Sequence, residues 1–255
     1  MVEKITRRIL VYRLKRLKKL KRFSNGVFNF SGSEISYPDA VGFAYAFHEI
    51  FVNKLLDFSA DSKNPLIIDV GANVGLVTLF FKKKYPSSRI LSIEADPRIF
   101  SFLAKNLLES GLKEVTAVNA AAWKSKGEEM DFFSDGSDGG SLLAGSNVSK
   151  GVKVKTIRLS EYINEAVDLL KIDIEGSEYV VMQEISAKLH LVKRLYVEFH
   201  SYLNSEQYLS EIIEILKAAG FRYHLEQYYP NTQRPFMGLH SFQGIHQMIG
   251  IYAWR

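Results

Sequence analysis

The sequence predicts an α/β fold: a doubly wound, Rossmann-like, mostly parallel sheet. Three observations carry that expectation. Leu66 to Val70 is an almost continuous apolar run, as in a strand covered on both faces, and it leads through Gly71 and Gly75 into a helical pattern. Strand-like and helix-like segments then alternate along the chain, which implies right-handed crossovers between parallel strands. Polar residues, namely Asp69, Glu94, Asn119, Asp173 and His200, stand near the ends of the expected strands, where such sheets bind ligands.

Residues 1–22 read as a basic helix with a partial apolar stripe of Ile5, Ile9, Leu10, Leu14 and Leu17. Charges interrupt every apolar core that a signal peptide would need. One reading is an anchor for anionic lipid; the other is a solvated helix capping the domain. Residues 23–38 look like loop with short extended pieces. Asp39 is placed to cap a helix over roughly 40–58, and the Asp61-Ser62-Lys63-Asn64-Pro65 stretch breaks it. We therefore divide the chain into a basic extension, 1–36, and one domain, 37–255.

Strand 66–70 is followed by a helix over 74–85, whose last turn carries Lys82, Lys83 and Lys84 where positive charge suits the dipole. Strand 89–93 ends in Glu94-Ala95-Asp96-Pro97, and Pro97 opens a helix that Gly111 closes. Strand 115–118 leads to Asn119-Ala120-Ala121-Ala122. A short strand, 128–133, precedes a polar, Gly-rich loop over 134–151, and 152–157 alternates like an antiparallel strand. After a short helix over 159–165, strand 169–174 leads into a helix ending near 187. Strand 195–199 ends at His200. A helix over 206–219, stopped by Gly220, and strands 221–225 and 248–253 complete the chain.

Composition narrows the function. There is no cysteine among the 255 residues, so disulfides and thiolate chemistry are excluded and a cytoplasmic address is the default. No apolar run approaches the ~18 residues of a membrane span. The net charge is +5, yet residues 1–22 hold 10 of the 33 Lys and Arg and one of the 28 acids. The remaining body carries 23 basic against 27 acidic residues, a net of −4, which argues against a nucleic-acid groove. No nucleic-acid partner is expected; peripheral contact with an anionic membrane through residues 1–22 stays open.

A Gly turn after one strand and an acid ending the next suits a nucleoside, whose ribose hydroxyls donate to the carboxylate. Glu94 lies 19 residues past Gly75, near the ~20 of a dinucleotide site. The dinucleotide Gly pattern fails, however, since Asn73 and Leu76 stand where Gly is needed, and no Gly-Lys-Ser/Thr phosphate loop is present. A nucleoside without pyrophosphate fits better, and S-adenosylmethionine is such a ligand. The alternatives are an NAD(P)-dependent oxidoreductase and a non-enzymatic module that contacts RNA or membrane through residues 1–22. Thermal stabilisation by S-adenosylmethionine but not NAD separates them.

Five motifs in order, Asp69-Val-Gly-Ala-Asn-Val-Gly75, Glu94-Ala-Asp-Pro97, Ala121-Ala-Trp with Gly127, Leu170-Lys-Ile-Asp-Ile-Glu-Gly-Ser-Glu178 and Glu198-Phe-His200, resemble the FkbM family of class I S-adenosylmethionine-dependent methyltransferases. The resemblance implies a seven-stranded sheet whose last strand is antiparallel. It implies cofactor contacts from Asp69, Gly71, Ala72, Asn73, Gly75, Asp173 and, at the ribose, Glu94, with Asn119 and Ala121 near the adenine. It also implies a hydroxyl acceptor on a sugar, glycan or secondary metabolite. A side chain at Gly71 would then enter the methionine space. An alcohol must lose its proton, so a base is expected. His200, titrating near ~6.5 as a neutral imidazole, is the first candidate, and Asp173 is the second. Of the 6 His, none has zinc-motif spacing, so no metal is expected, although Asp173 and Glu175 leave that route open.

Overall fold

The computed structural model describes residues 2–134, 140–141, 151–229, 232, 234–241 and 244–255. In chain order the elements are α1 (Val2–Leu17), β1 (Gly26–Phe30), β2 (Ser33–Tyr37), α2 (Ala40–Phe47), a π-helical turn (His48–Asn53), β3 (Leu66–Val70), α3 (Leu76–Lys84), β4 (Arg89–Glu94), α4 (Pro97–Glu109) and β5 (Val115–Asn119). There follow β6 (Ala121–Ala122), β7 (Glu129–Ser134), β8 (Gly140–Ser141), β9 (Val152–Ile157), β10 (Leu169–Ile172), α5 (Glu178–Ile185), β11 (Arg194–Tyr202), α6 (Leu209–Ala218), β12 (Arg222–Tyr229) and β13 (Ile245–Trp254).

The central sheet has seven strands in the order β12-β13-β11-β10-β3-β4-β5. From β11 through β5 every pairing is parallel, and β13 runs antiparallel to both β11 and β12. The expected mostly parallel sheet with an antiparallel last strand is what the chain forms. Side chains alternate between two apolar layers, as a pleated strand requires. On β3, Ile67 joins a core with Phe47 and Phe81, while Ile68 joins the opposite core with Ile172 and Val197. Tyr196 and Val197 on β11 divide the same way. A smaller sheet, β6-β9-β7-β8, adds Trp123, Phe132 and Val154 beside the carboxyl ends of β4 and β5.

Four expectations change. The helix over 40–58 ends sooner: α2 passes into a wider π-helical turn, which Lys54 closes in the left-handed conformation (φ 57°). Strand 169–174 stops at Ile172, so Asp173 belongs to the turn that follows it. His200 is not a strand end. β11 continues to Tyr202 because β13 extends the ladder past it, pairing Met248 with His200 and Gln247 with Ser201. The final two strands are longer than the apolar runs suggested, again because each supplies the other's hydrogen bonds. Of the Gly-rich loop 134–151, residues 135–139 and 142–150 lie outside the described residues.

Candidate active site

The carboxyl ends of β3, β4, β5 and β10 open onto a cleft of roughly 690 Å³, part of it open to solvent. Its floor is the turn after β3. Gly71 has φ +80°, and a Cβ there would lie 1.8 Å from the Asp173 carbonyl oxygen, so only glycine fits between the two turns. The backbone N–H groups of Gly71 and Ala72 both donate to the Ile93 carbonyl at 2.9 Å, which fastens the turn to β4. Asn73 also takes a positive φ of 49°. Its N–H donates to Glu94 Oε2 at 2.8 Å, and its own Oδ1 accepts from Val74 N at 2.7 Å. Gly75 (φ +89°) faces Leu103, which a Cβ would approach to 2.7 Å.

Glu94 closes β4 and is held from two sides, since Oε1 accepts from Asp96 N at 2.9 Å. Burial nevertheless pushes its carboxyl up to about 7, against the pull of those two N–H groups. Each oxygen of a carboxylate accepts more than one bond, so both keep capacity for a ligand hydroxyl. Beyond Glu94 the wall includes Ala120, Ala121, Ala122, Ile99 and Phe132, an apolar stretch. At the other end stand Asp173, Ile174 and Glu175. The lining is thus apolar around Ala120, Ala121 and Ala122, with Glu94 and Asp96 next to that part and Asp173 and Glu175 at the far end. That donor set fits a nucleoside joined to a cationic group.

Of the residues expected to hold cofactor, Gly71, Asn73, Glu94, Ala121 and Asp173 line this cleft. Asp69, Ala72, Gly75 and Asn119 stand behind it. Asp69 is wholly buried and faces Lys171 Nζ, 3.4 Å from its Oδ1. Asn119 donates from Nδ2 to the carbonyls of Glu94 and Ala95 at 2.9 and 3.0 Å, shaping the acid's turn.

Lys171 is a residue whose role sequence reasoning missed. Its register partner on β3 is Asp69, so the two side chains emerge side by side on one face of the sheet. The ammonium donates to the Gly71 carbonyl at 2.8 Å and lies 3.2 Å from Asp173 Oδ2. It ties the turn after β3 to the turn after β10. Burial disfavours its charge, but Asp173 and Asp69 outweigh that and hold it protonated.

His200, the first candidate for the base, is not among the residues that line the cleft. Its side chain is buried behind Glu175, with Nδ1 3.1 Å from Glu178 Oε1 and Nε2 3.5 Å from Glu175 Oε2 and 3.6 Å from Glu198 Oε1. Burial alone would favour the neutral ring; the carboxylates of Glu175, Glu178 and Glu198 overcome it and raise its pKa well above the ordinary value. Glu175, by contrast, faces the cleft with a non-glycine φ of 55°, and burial, reinforced by Asp173, lifts its carboxyl to about 8 although His200 pulls it down. Tyr202 Oη donates to the Glu175 carbonyl at 3.3 Å and to its Oε2 at 3.4 Å.

The Methyltransferase FkbM domain matches residues 69–223. Among curated proteins, methyltransferase sdnD of Sordaria araneosa is 28% identical over 190 residues, covering 60% of this chain and 73% of that protein. The 31-O-demethyl-FK506 methyltransferase FkbM of Streptomyces tacrolimicus is 23% identical, covering 77% and 88%. Among solved structures, the FkbM methyltransferase from Methylobacillus flagellatus shares the fold at a TM-score of 0.52 and 16% identity, over 84% of this chain and 51% of that one. With the domain match covering more than half of the chain and the turns that line the cleft, the chain belongs to the FkbM family of methyltransferases and takes its methyl group from S-adenosylmethionine.

Proposed function

We propose that the chain methylates a hydroxyl oxygen of a sugar, glycan or secondary metabolite, and that Asp173 and Glu175 activate that hydroxyl. The carrying observation is the pair of carboxylates at one end of the cleft, opposite the apolar stretch beside Glu94. In this reading the apolar stretch takes the adenine, Glu94 accepts from the ribose hydroxyls, and Gly71 and Asn73 border the methionine portion. Bound S-adenosylmethionine supplies an activated methyl group, so the residues' work is to align the acceptor oxygen, exclude water and draw off its proton. A relative supports oxygen as the target, being a 31-O-demethyl-FK506 methyltransferase. Transfer of labelled methyl from the cofactor to pooled hydroxylated acceptors tests the reading, with amine and RNA pools alongside. Label is expected as alkali-stable O-methyl in the hydroxyl pool; label confined to amines or RNA refutes it.

A further inference from the structure

Asp173, Glu175 and His200 come from two different segments, the turn after β10 and the body of β11, yet one ligand-type atom from each lies within 4.8 Å of the others. Their chemistry is mixed: two carboxylate oxygens and one imidazole nitrogen. The His200 side chain is only 1% exposed, and its Nε2 is aimed between Glu175 Oε2 and Glu198 Oε1 at 3.5 and 3.6 Å. Nδ1 is engaged by Glu178 at 3.1 Å, and Glu178 is itself fixed by Gly176 N at 2.9 Å. A carboxylate on one ring nitrogen with the other directed into further carboxylates is how metal-bound histidines are oriented. Lys171 neutralises Asp173 from the far side, at 3.2 Å from Oδ2, and does not reach the others.

We propose that Asp173, Glu175 and His200 hold one divalent metal cation at the acceptor end of the cleft, where it receives the acceptor oxygen. Bonds of about 2.1 Å put opposite donors about 4.2 Å apart, so side-chain rotations of a few tenths of an ångström complete the set. One imidazole among carboxylates favours a first-row ion such as Mn²⁺ over Ca²⁺. On binding, the cation displaces the Nε2 proton of His200 to solvent and lowers the pKa of a hydroxyl bound to it. As that oxygen takes the methyl group and the sulfonium becomes a neutral thioether, the hydroxyl proton passes to a carboxylate oxygen of Asp173 or Glu175 that does not hold the cation. The inference deepens the proposed O-methylation and rests on it for the place of the acceptor.

The test is titration of the EDTA-treated, desalted full chain with MnCl₂, following free Mn²⁺ by electron paramagnetic resonance. One Mn²⁺ per chain is expected. Glu175→Gln should weaken binding at least about ten-fold, as should Glu178→Gln, which among the three ligands touches the histidine and otherwise accepts from the Ile174 and Gly176 N–H groups. Both keep side-chain volume, and circular dichroism checks their fold. Glu226→Gln, on β12, should bind as wild type. No Mn²⁺ or Zn²⁺ binding by wild type overturns the proposal, and so does equal binding by Glu175→Gln. Calorimetry with S-adenosylhomocysteine on the same EDTA-treated protein separates the two readings. Cofactor binding without metal binding sinks the cation alone and leaves methyl transfer standing.

Discussion

At the scale of single residues, Gly71 and Glu94 decide whether a cofactor is held. Sequence reasoning assigned Gly71 to ligand room. The Asp173 carbonyl, 1.8 Å from where a Cβ would be, shows a prior demand of the fold itself. Gly71→Ala should therefore lower the melting temperature in the absence of cofactor, by a strain of roughly 1–3 kcal/mol; an unchanged melting temperature would contradict that packing. Glu94 carries two linked roles, binding its own turn through Asn73 N and Asp96 N and offering charge to a ligand. Because burial sets its carboxyl to about 7, cofactor affinity should rise with pH across about 6 to 8, as the charged acceptor forms. Calorimetry at stepped pH reads this, and an affinity that is flat or falls contradicts the role. The position of Glu94 was legible because a strand end and a following Asp-Pro helix start are local patterns. The state of His200 was not, since Glu175, Glu178 and Glu198 converge on it only once β11 lies beside the turn after β10.

At the scale of elements, α1 is part of the body. Leu14 is buried in the core that contains Phe28, Phe43 and Phe47, with Leu10, Val11 and Leu17 packed against it. Arg13 lies 4.2 Å over the Phe28 ring and donates to the Asn29 carbonyl at 2.8 Å, and Lys18 lies 3.5 Å over Tyr45. Deleting residues 1–22 would remove Leu14 from that core, so it is not a clean test of membrane contact. Leu14→Ala should cost about 2–5 kcal/mol in chemical denaturation, whereas no loss would mean the helix is not docked. The apolar stripe that docks α1 was legible at helical spacing; its partners were not, because the short extended pieces read in residues 23–38 carried no sign that they pair as β1 and β2. The π-helical turn was equally hidden. It brings Glu49 to where Asp173 and Lys18 act on it, with burial the largest influence raising its pKa. A wide helical turn leaves no mark in hydrophobic periodicity.

For the molecule as a whole, the sheet was legible because buried parallel strands are near-continuous apolar runs and alternate with amphipathic helices. What the chain methylates was not, since the loops 24–38, 134–151 and 226–247, expected to shape the acceptor pocket, carry no diagnostic pattern. The gathering of acids at one end of the sheet has a global consequence. Burial raises Asp69 to about 6, Glu94 and Glu198 to about 7 and Glu175 to about 8, and His200 is raised by its carboxylates. The native state therefore holds more protons than the unfolded chain from about pH 4 to 8, so cofactor-free stability in EDTA should fall as pH rises through that window. A melting temperature that climbs across it would contradict the burial of these groups. The central claim is that the cleft over β3, β4 and β10 is the cofactor site, with Glu94 at its middle. The most direct test is calorimetric titration of S-adenosylhomocysteine into wild type and Glu94→Ala near pH 8, both checked by circular dichroism. Loss of the charged acceptor should weaken binding at least about ten-fold in a folded variant, from roughly 1.5–3 kcal/mol per bond; equal affinities for the two proteins would contradict the account.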